Sequence, residues 1–188
     1  MKRKVILITD GDQVAREAVE MVARQVGGRS ISSSAGNPTP LSGEQLVDRI
    51  LQAKNDPVLV MFDDCGSGGE GWGERAMEYV ANHPQVEVLG AVAVASNHRA
   101  GDAVRVDILL DRNGNQVFQG VDKGGLEMEG EPPMIRGDTV GVLNRIQVPL
   151  IVGIGDIGKM GHFDDVRQGA PVTRKAVELI LANAGGSG

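Results

Sequence analysis

Cysteine is almost absent from this chain. The single thiol, Cys65, excludes an internal disulfide and fits a reducing compartment rather than a secreted, disulfide-bonded protein. Aromatic residues are nearly as scarce, at 3%. The core must therefore be built from Val, Ile, Leu, Ala and Met. There is no basic block, and 19 basic against 25 acidic residues leave a formal charge of -6. Nucleic-acid binding needs a concentrated cationic face and is disfavoured. No apolar run approaches the ~20 residues that span a bilayer, so no transmembrane segment is expected. The basic-then-apolar start, MKRKVILITDGD, has too short an apolar part for a signal peptide and reads as a first strand.

Glycine, by contrast, is plentiful: 27 in 188 residues, interleaved with strong apolar runs, which signals many turns rather than disorder. The length suits one domain, taken as 1–184, with 185–188 an unstructured tail. Short β-branched runs at 5–9, 29–33, 58–62, 86–95 and 149–154 read as strands. Helical spacing follows several of them. Asp12 is placed to cap a helix through Ala15, Ala18, Val19, Val22 and Val26, with Gly27 and Gly28 ending it. Ser42 and Gln45 form a capping box ahead of Leu46, Val47, Ile50 and Leu51. Trp72, Ala76, Tyr79 and Val80 mark a third helix that stops at His83 and Pro84. Asp138 is placed to cap a short helix through Val140 and Leu143, and Thr173 to cap the last one. Alternation at 104–110, the Asn113-Gly114 turn and a return at 117–121 read as a hairpin. The stretch 122–136 reads as irregular. The fold class is therefore α/β: a three-layer sandwich with a mostly parallel sheet, plus an inserted β-hairpin and irregular insertion at about 100–136.

The most distinctive stretch is VLVMFDDCGSGGEGWGE at 58–74, a strand ending in Asp63 and Asp64, then a glycine-rich turn, then a helix. Open α/β sheets bind ligands at the carboxyl ends of their strands. If the long strands are parallel, that edge gathers Asp10 and Asp12, Asp63 and Asp64 with Gly66, Gly69 and Gly71, then Ser96 and Asn97, and Asp156 with Lys159. Asp10, Asp12, Asp63 and Asp64 can hold Mg²⁺ or Ca²⁺, both of which want oxygen ligands. The glycine turn ahead of a helix can receive an anion, so an anionic small molecule with its divalent ion would suit the edge. The same residues also serve as ordinary caps and turns, with Asp12 a helix cap and Asp63 or Asp64 in an Asx turn. Glu70 and Glu74 fit a helix's first turn.

A phosphate loop is not supported: GIGDIGK at 153–159 has the glycine-lysine spacing, but Met160 stands where a metal-binding Ser or Thr is required. Catalysis by a nucleophile has little support either. Two carboxylates beside Cys65 raise a thiol pKa, and His83, His98 and His162 are scattered.

Five stretches together resemble a known family: TDGDQVAREAVEMVARQVGG, SAGNPTPLSGE, PVLVMFDDCGSGGEGWGE, VLGAVAVASN, and VPLIVGIGDIGKMGHFDD with GAPVTRKAVELIL. They resemble the stage V sporulation protein AE family, in its soluble AEa type, from about Lys2 to Leu181. The resemblance implies a part in sporulation and germination, beside membrane proteins that move calcium dipicolinate across the spore inner membrane. It implies other stage V sporulation proteins as partners, a possible homo-oligomer, and a forespore or spore location, soluble or peripheral to that membrane. It supplies no catalytic residues. The reading is thus a non-enzymatic binding protein. The alternative is a divalent-metal-dependent phosphoryl-transfer or phosphate-ester enzyme using the paired aspartates, by fold-level analogy to Toprim domains. A third possibility is pure assembly, with the hairpin and 122–136 as a docking surface.

Overall fold

The structure, a computed structural model, describes residues 1–64, 71–97 and 102–186. Nine strands and four helices follow one another as β1 (Arg3–Ile8), α1 (Gln13–Gln25), β2 (Arg29–Ser30), α2 (Gly43–Gln52), β3 (Val58–Met61), α3 (Trp72–Asn82), β4 (Val86–Val94), β5 (Ala103–Arg105), β6 (Ile108–Leu110), β7 (Gln116–Val117), β8 (Met134–Arg136), β9 (Ile151–Ile154) and α4 (Pro171–Gly185). Seven strands make one sheet, in the order β2-β3-β1-β4-β9-β6-β7. All neighbours pair parallel except β6 and β7. The fold is the expected α/β sandwich.

Parallel strands covered on both faces need apolar side chains in both directions. The four residues Val5 to Ile8 are fully buried. Val5 and Leu7 pack with Val58 and Val60 against Leu46, Val47 and Ile50 of α2 and Ala76, Met77 and Val80 of α3. Ile6 and Ile8 point the other way, joining Leu59 and Met61 against Ala15, Ala18, Val19 and Val22 of α1 and Ala176, Val177 and Ile180 of α4. Each such side chain contributes about 1.5–3 kcal/mol by leaving water. The scarcity of aromatics is visible here: Phe62 is the sole aromatic among the largest fully buried side chains.

Local signals were followed where the helices begin. Asp12 caps α1 by accepting from the Ala15 amide at 2.8 Å. Gly27, at φ +76°, turns the chain out of that helix, and Gly28 N–H closes onto Ala23 O. Ser42 and Gln45 form the expected capping box on α2. The last helix differs. It starts at Pro171, and Thr173 lies inside its first turn. Its cap is Asp164, whose carboxylate accepts from the Val172 and Thr173 amides and from the Thr173 hydroxyl. The 3-10 turn Gly141–Asn144 has Val140, not Asp138, at its cap position.

Two strand expectations also changed. The run 29–33 is a strand only over Arg29–Ser30. Ser34 then folds back on Ile31 O, and its hydroxyl accepts from the Met61 amide at 2.9 Å, replacing a strand partner. The alternating run 104–110 is broken at Asp107, whose amide donates to Ile151 O while its carboxylate accepts from the Ile151 amide. That clamp puts β5 in a separate two-stranded sheet with β8 and returns β6 to the main sheet beside β9. β6 and β7 still form the hairpin around Asn113 and Gly114, the latter at φ +76°. α4 runs to Gly185, one residue into the expected tail, and Ser187 and Gly188 lie outside the described residues.

One close approach holds β4 against β9. A Cβ at Gly90 would lie 2.7 Å from Leu150 O, which already accepts from the Ala91 amide, and 2.7 Å from Ile180. Gly90→Val should therefore destabilise the protein by about 2–4 kcal/mol, read as a lower urea midpoint at unchanged slope.

Candidate functional site

The parallel pairing brings the carboxyl ends of β1, β3, β4 and β9 together, and a cleft of about 260 Å³ opens there. Thr9, Asp10 and Asp12 line it after β1, Asp63 after β3, Ser96 after β4 and Asp156 after β9. Three further residues arrive from irregular segments: Asn37, Lys123 and Asp138. Gly11 lets the loops close, since a Cβ there would meet Gly36 O at 2.8 Å.

Asp10 is 9% exposed, and its Oδ1 accepts from the amides of Gly11 at 2.7 Å and Asp12 at 3.4 Å. Burial, followed by the charges of Asp12 and Asp156, pushes its pKa up to about 7 despite those two amides. Asp12 does two jobs with two oxygens: Oδ1 caps α1, while Oδ2 accepts from Lys159 Nζ at 3.0 Å. Lys159 also reaches Asp156 Oδ2 at 3.3 Å, and Lys123 approaches the same oxygen at 3.7 Å. Burial works against the Lys159 charge, but the bond to Asp12 and the attraction of Asp156 hold its pKa above the usual value. Lys123 is anchored by its own carbonyl, which accepts from the Asp156 amide at 2.8 Å.

One carboxylate oxygen from each of Asp10, Asp12 and Asp156 lies within 4.8 Å of the others. An ion bound at ~2.0–2.6 Å from each of three oxygens fits that spacing. Five carboxylates (Asp10, Asp12, Asp63, Asp138, Asp156) meet two lysines (Lys123, Lys159) in and beside the cleft, so its balance is acidic.

The sequence-predicted residues divide. Asp10, Asp12, Asp63, Ser96 and Asp156 line the cleft, and Lys159 bonds to two of them. Among the described residues, the buried Ser96 hydroxyl has no hydrogen-bond partner. Asn97 is exposed and lines no part of the cleft. The expected metal set of Asp10, Asp12, Asp63 and Asp64 is not the group that comes together, because Asp156 takes the third position and Asp64 turns away. Asp64 is 4% exposed, and its carboxylate accepts from the amides of Gly73 at 2.6 Å and Glu74 at 3.1 Å, capping α3. Gly71 is required beside it, since a Cβ would stand 2.2 Å from Asp64 Oδ1. Gly66 and Gly69 lie outside the described residues, as do Cys65, Glu70 and His98.

A family model described as Stage V sporulation protein AE1 matches residues 4–184. The chain belongs to that family. Comparison with curated proteins and with solved structures returned no match. Membership ties the chain to sporulation, and among the described residues no helix is long and apolar enough to cross a membrane.

The raised Asp10 pKa has a consequence for stability. The folded state holds this proton more tightly than the unfolded chain, whose value is 3.8, so ionising Asp10 costs native stability as pH rises from about 4 to about 7. The full cost is on the order of 4 kcal/mol and is present above about pH 7. Asn keeps the acceptor oxygen and removes the charge. Asp10→Asn should raise stability by only about 1 kcal/mol at about pH 4.5 and by about 2–4 kcal/mol at about pH 8, measured by urea denaturation.

Proposed function

We propose that this sporulation-family protein serves the spore's calcium dipicolinate transport and germination machinery as a non-enzymatic binding component, with the cleft at the sheet's carboxyl edge as its ligand site. Family membership supports the setting. The observation that carries the site is the convergence of Asp10, Asp12 and Asp156 on one ion-sized position, flanked by Lys123 and Lys159. A divalent cation entering there displaces Lys159 from Asp12 and Asp156 and offsets the burial and the carboxylate repulsion that together raise the Asp10 pKa. The released lysine and its neighbour then face an anion held on the same ion. Calcium with a dicarboxylate has that charge pattern. The setting is the forespore or spore, at the surface of the inner membrane, among other stage V sporulation proteins.

A second reading rests on the same carboxylates. Asp10, with a pKa near 7, is able to take or give a proton at neutral pH beside an ion site, as a divalent-metal-dependent phosphoryl-transfer or phosphate-ester enzyme would require. Asp156, rather than Asp64, would then be the third ligand.

Calorimetry and thermal shift with Ca²⁺, Mg²⁺, nucleotides and calcium dipicolinate separate the two. Binding to the folded state alone raises the melting temperature. Calcium, alone or with dipicolinate, should raise it for the native chain and should lose at least about tenfold in affinity with Asp156→Asn. No shift with any cation would sink the binding reading. Phosphate-ester turnover abolished by Asp10→Asn would replace it with the enzymatic one.

A further inference from the structure

A second concavity, of about 550 Å³, lies away from the cleft, along the open side of β2 at the margin of the sheet. Its character is opposite. Arg24 stands in the last turn of α1, Arg49 in the last turn of α2, and Arg29 on β2 itself. α1 and α2 pack on opposite faces of the sheet, so arginines flank this edge from above and below. All three are exposed, and among the described residues none lies within ion-pair distance of an acid. The one acid lining the groove, Glu20, is bonded to Arg16 at 2.9 Å and shares its remaining attraction with Arg24, so Arg29 and Arg49 are the less compensated pair. On a chain of net charge -6 this is a concentrated cationic island.

Helix C-termini explain part of it. Each carries roughly half a negative charge, which Arg24 and Arg49 complement. Two half-charges leave most of three arginines unbalanced. The backbone supplies the second observation. The amides of Arg29 and Ile31 both point inward, donating to Pro57 O and Leu59 O of the β3 side at 2.9 Å. By the alternation of a parallel ladder, Ser30 N–H and C=O face outward into the groove. An edge with a free donor and a free acceptor is a template for another strand.

We infer that this groove docks an acidic, extended polypeptide segment, which adds to β2 as an outer strand and lays alternate carboxylates against Arg24 and Arg49 with Arg29 between. A strand's side chains alternate between faces, which matches arginines placed above and below the edge. Phosphate uses donors only and leaves the Ser30 carbonyl unmet. A membrane or nucleic acid needs a flat cationic face on a positive body, and this chain is acidic. Arg–carboxylate pairs are among the stronger charge-assisted bonds.

The test is fluorescence anisotropy with three labelled peptides of about twelve residues: a Glu-Glu-Val-Val repeat (the Glu-Val peptide), which presents acids on both faces of a strand, its Lys-Lys-Val-Val counterpart, and the Glu-Val peptide with every backbone amide N-methylated, which cannot donate ladder bonds. The Glu-Val peptide should bind the native chain and weaken as salt rises. It should lose at least about tenfold in affinity for the Arg24→Glu/Arg49→Glu variant, and the N-methylated peptide should bind the native chain at least about tenfold more weakly. Hydrogen exchange at the Ser30 amide should slow in the complex. All three arginines are exposed, so the variant should keep its circular dichroism, with a melting point lowered only modestly by the lost helix-end complementation, and Arg29→Gln alone should give a smaller loss of affinity in the same direction. Equal binding of the Glu-Val peptide and its N-methylated form, or indifference to the double variant, would overturn the inference. So would arginine-dependent binding of phosphatidylserine vesicles without binding of the Glu-Val peptide.

Discussion

Parallel hydrogen bonding of β1 to both β3 and β4 is the constraint from which the rest follows. Registers run from Val5↔Val58 to Ile8↔Met61 on one side and from Arg3↔Val86 to Ile8↔Val92 on the other. Because β1, β3, β4 and β9 share a direction, their exits from the apolar interior lie at one edge. Backbone amides leaving a ladder must find new partners, and short polar side chains supply them. That need concentrates Asp and Thr where the strands end. Thr9 shows it plainly: its hydroxyl accepts from the Val94 amide at 2.9 Å, joining β1 to β4 just beyond their last pair. The acidic cleft is a by-product of the sheet that the chain then has to manage electrostatically.

It manages the charges by dividing labour among chemically identical groups. Asp64 and Asp164 lie in helix-starting loops, where two amides meet the first carboxylate and three the second. Burial still raises the Asp164 pKa, outweighing those bonds. Asp12 gives one oxygen to a helix and the other to Lys159. Asp10 is buried and has two acidic neighbours, which together outweigh its two local amides and hold its proton to near neutrality. Folding does not require that arrangement, since a neutral isostere would keep the amide bonds. A buried carboxylate with a pKa near 7 beside two others is the feature that the proposed cation site rests on.

How much of this could be read from residues alone depended on the range of the interaction. The cap at Asp12 and the box at Ser42 and Gln45 act within three residues, and both are as expected. The shared edge was legible because parallel topology follows from strand-helix alternation. Choosing between Asp63 and Asp64 was not. One residue of separation turns a carboxylate from the cleft to the α3 amides, and only the helix's position decides which. Lys123 and Asp138 come from segments without periodicity, placed by contacts such as the Asp156 amide to Lys123 O. The clamp at Asp107 spans 44 residues and left no local trace. The arginines of the β2 groove were each visible as ordinary surface charges. Their convergence needed the two helices to land on opposite faces.

The claim at the centre is that Asp10, Asp12 and Asp156 form one cation position. Its most direct test is a carboxyl-carbon NMR titration of Asp10, with and without saturating calcium. The account predicts an apparent pKa near 7 in the free protein, falling by at least about one unit when the cation is present. An Asp10 that titrates in the ordinary carboxylate range, or one whose titration calcium leaves unmoved, would contradict it.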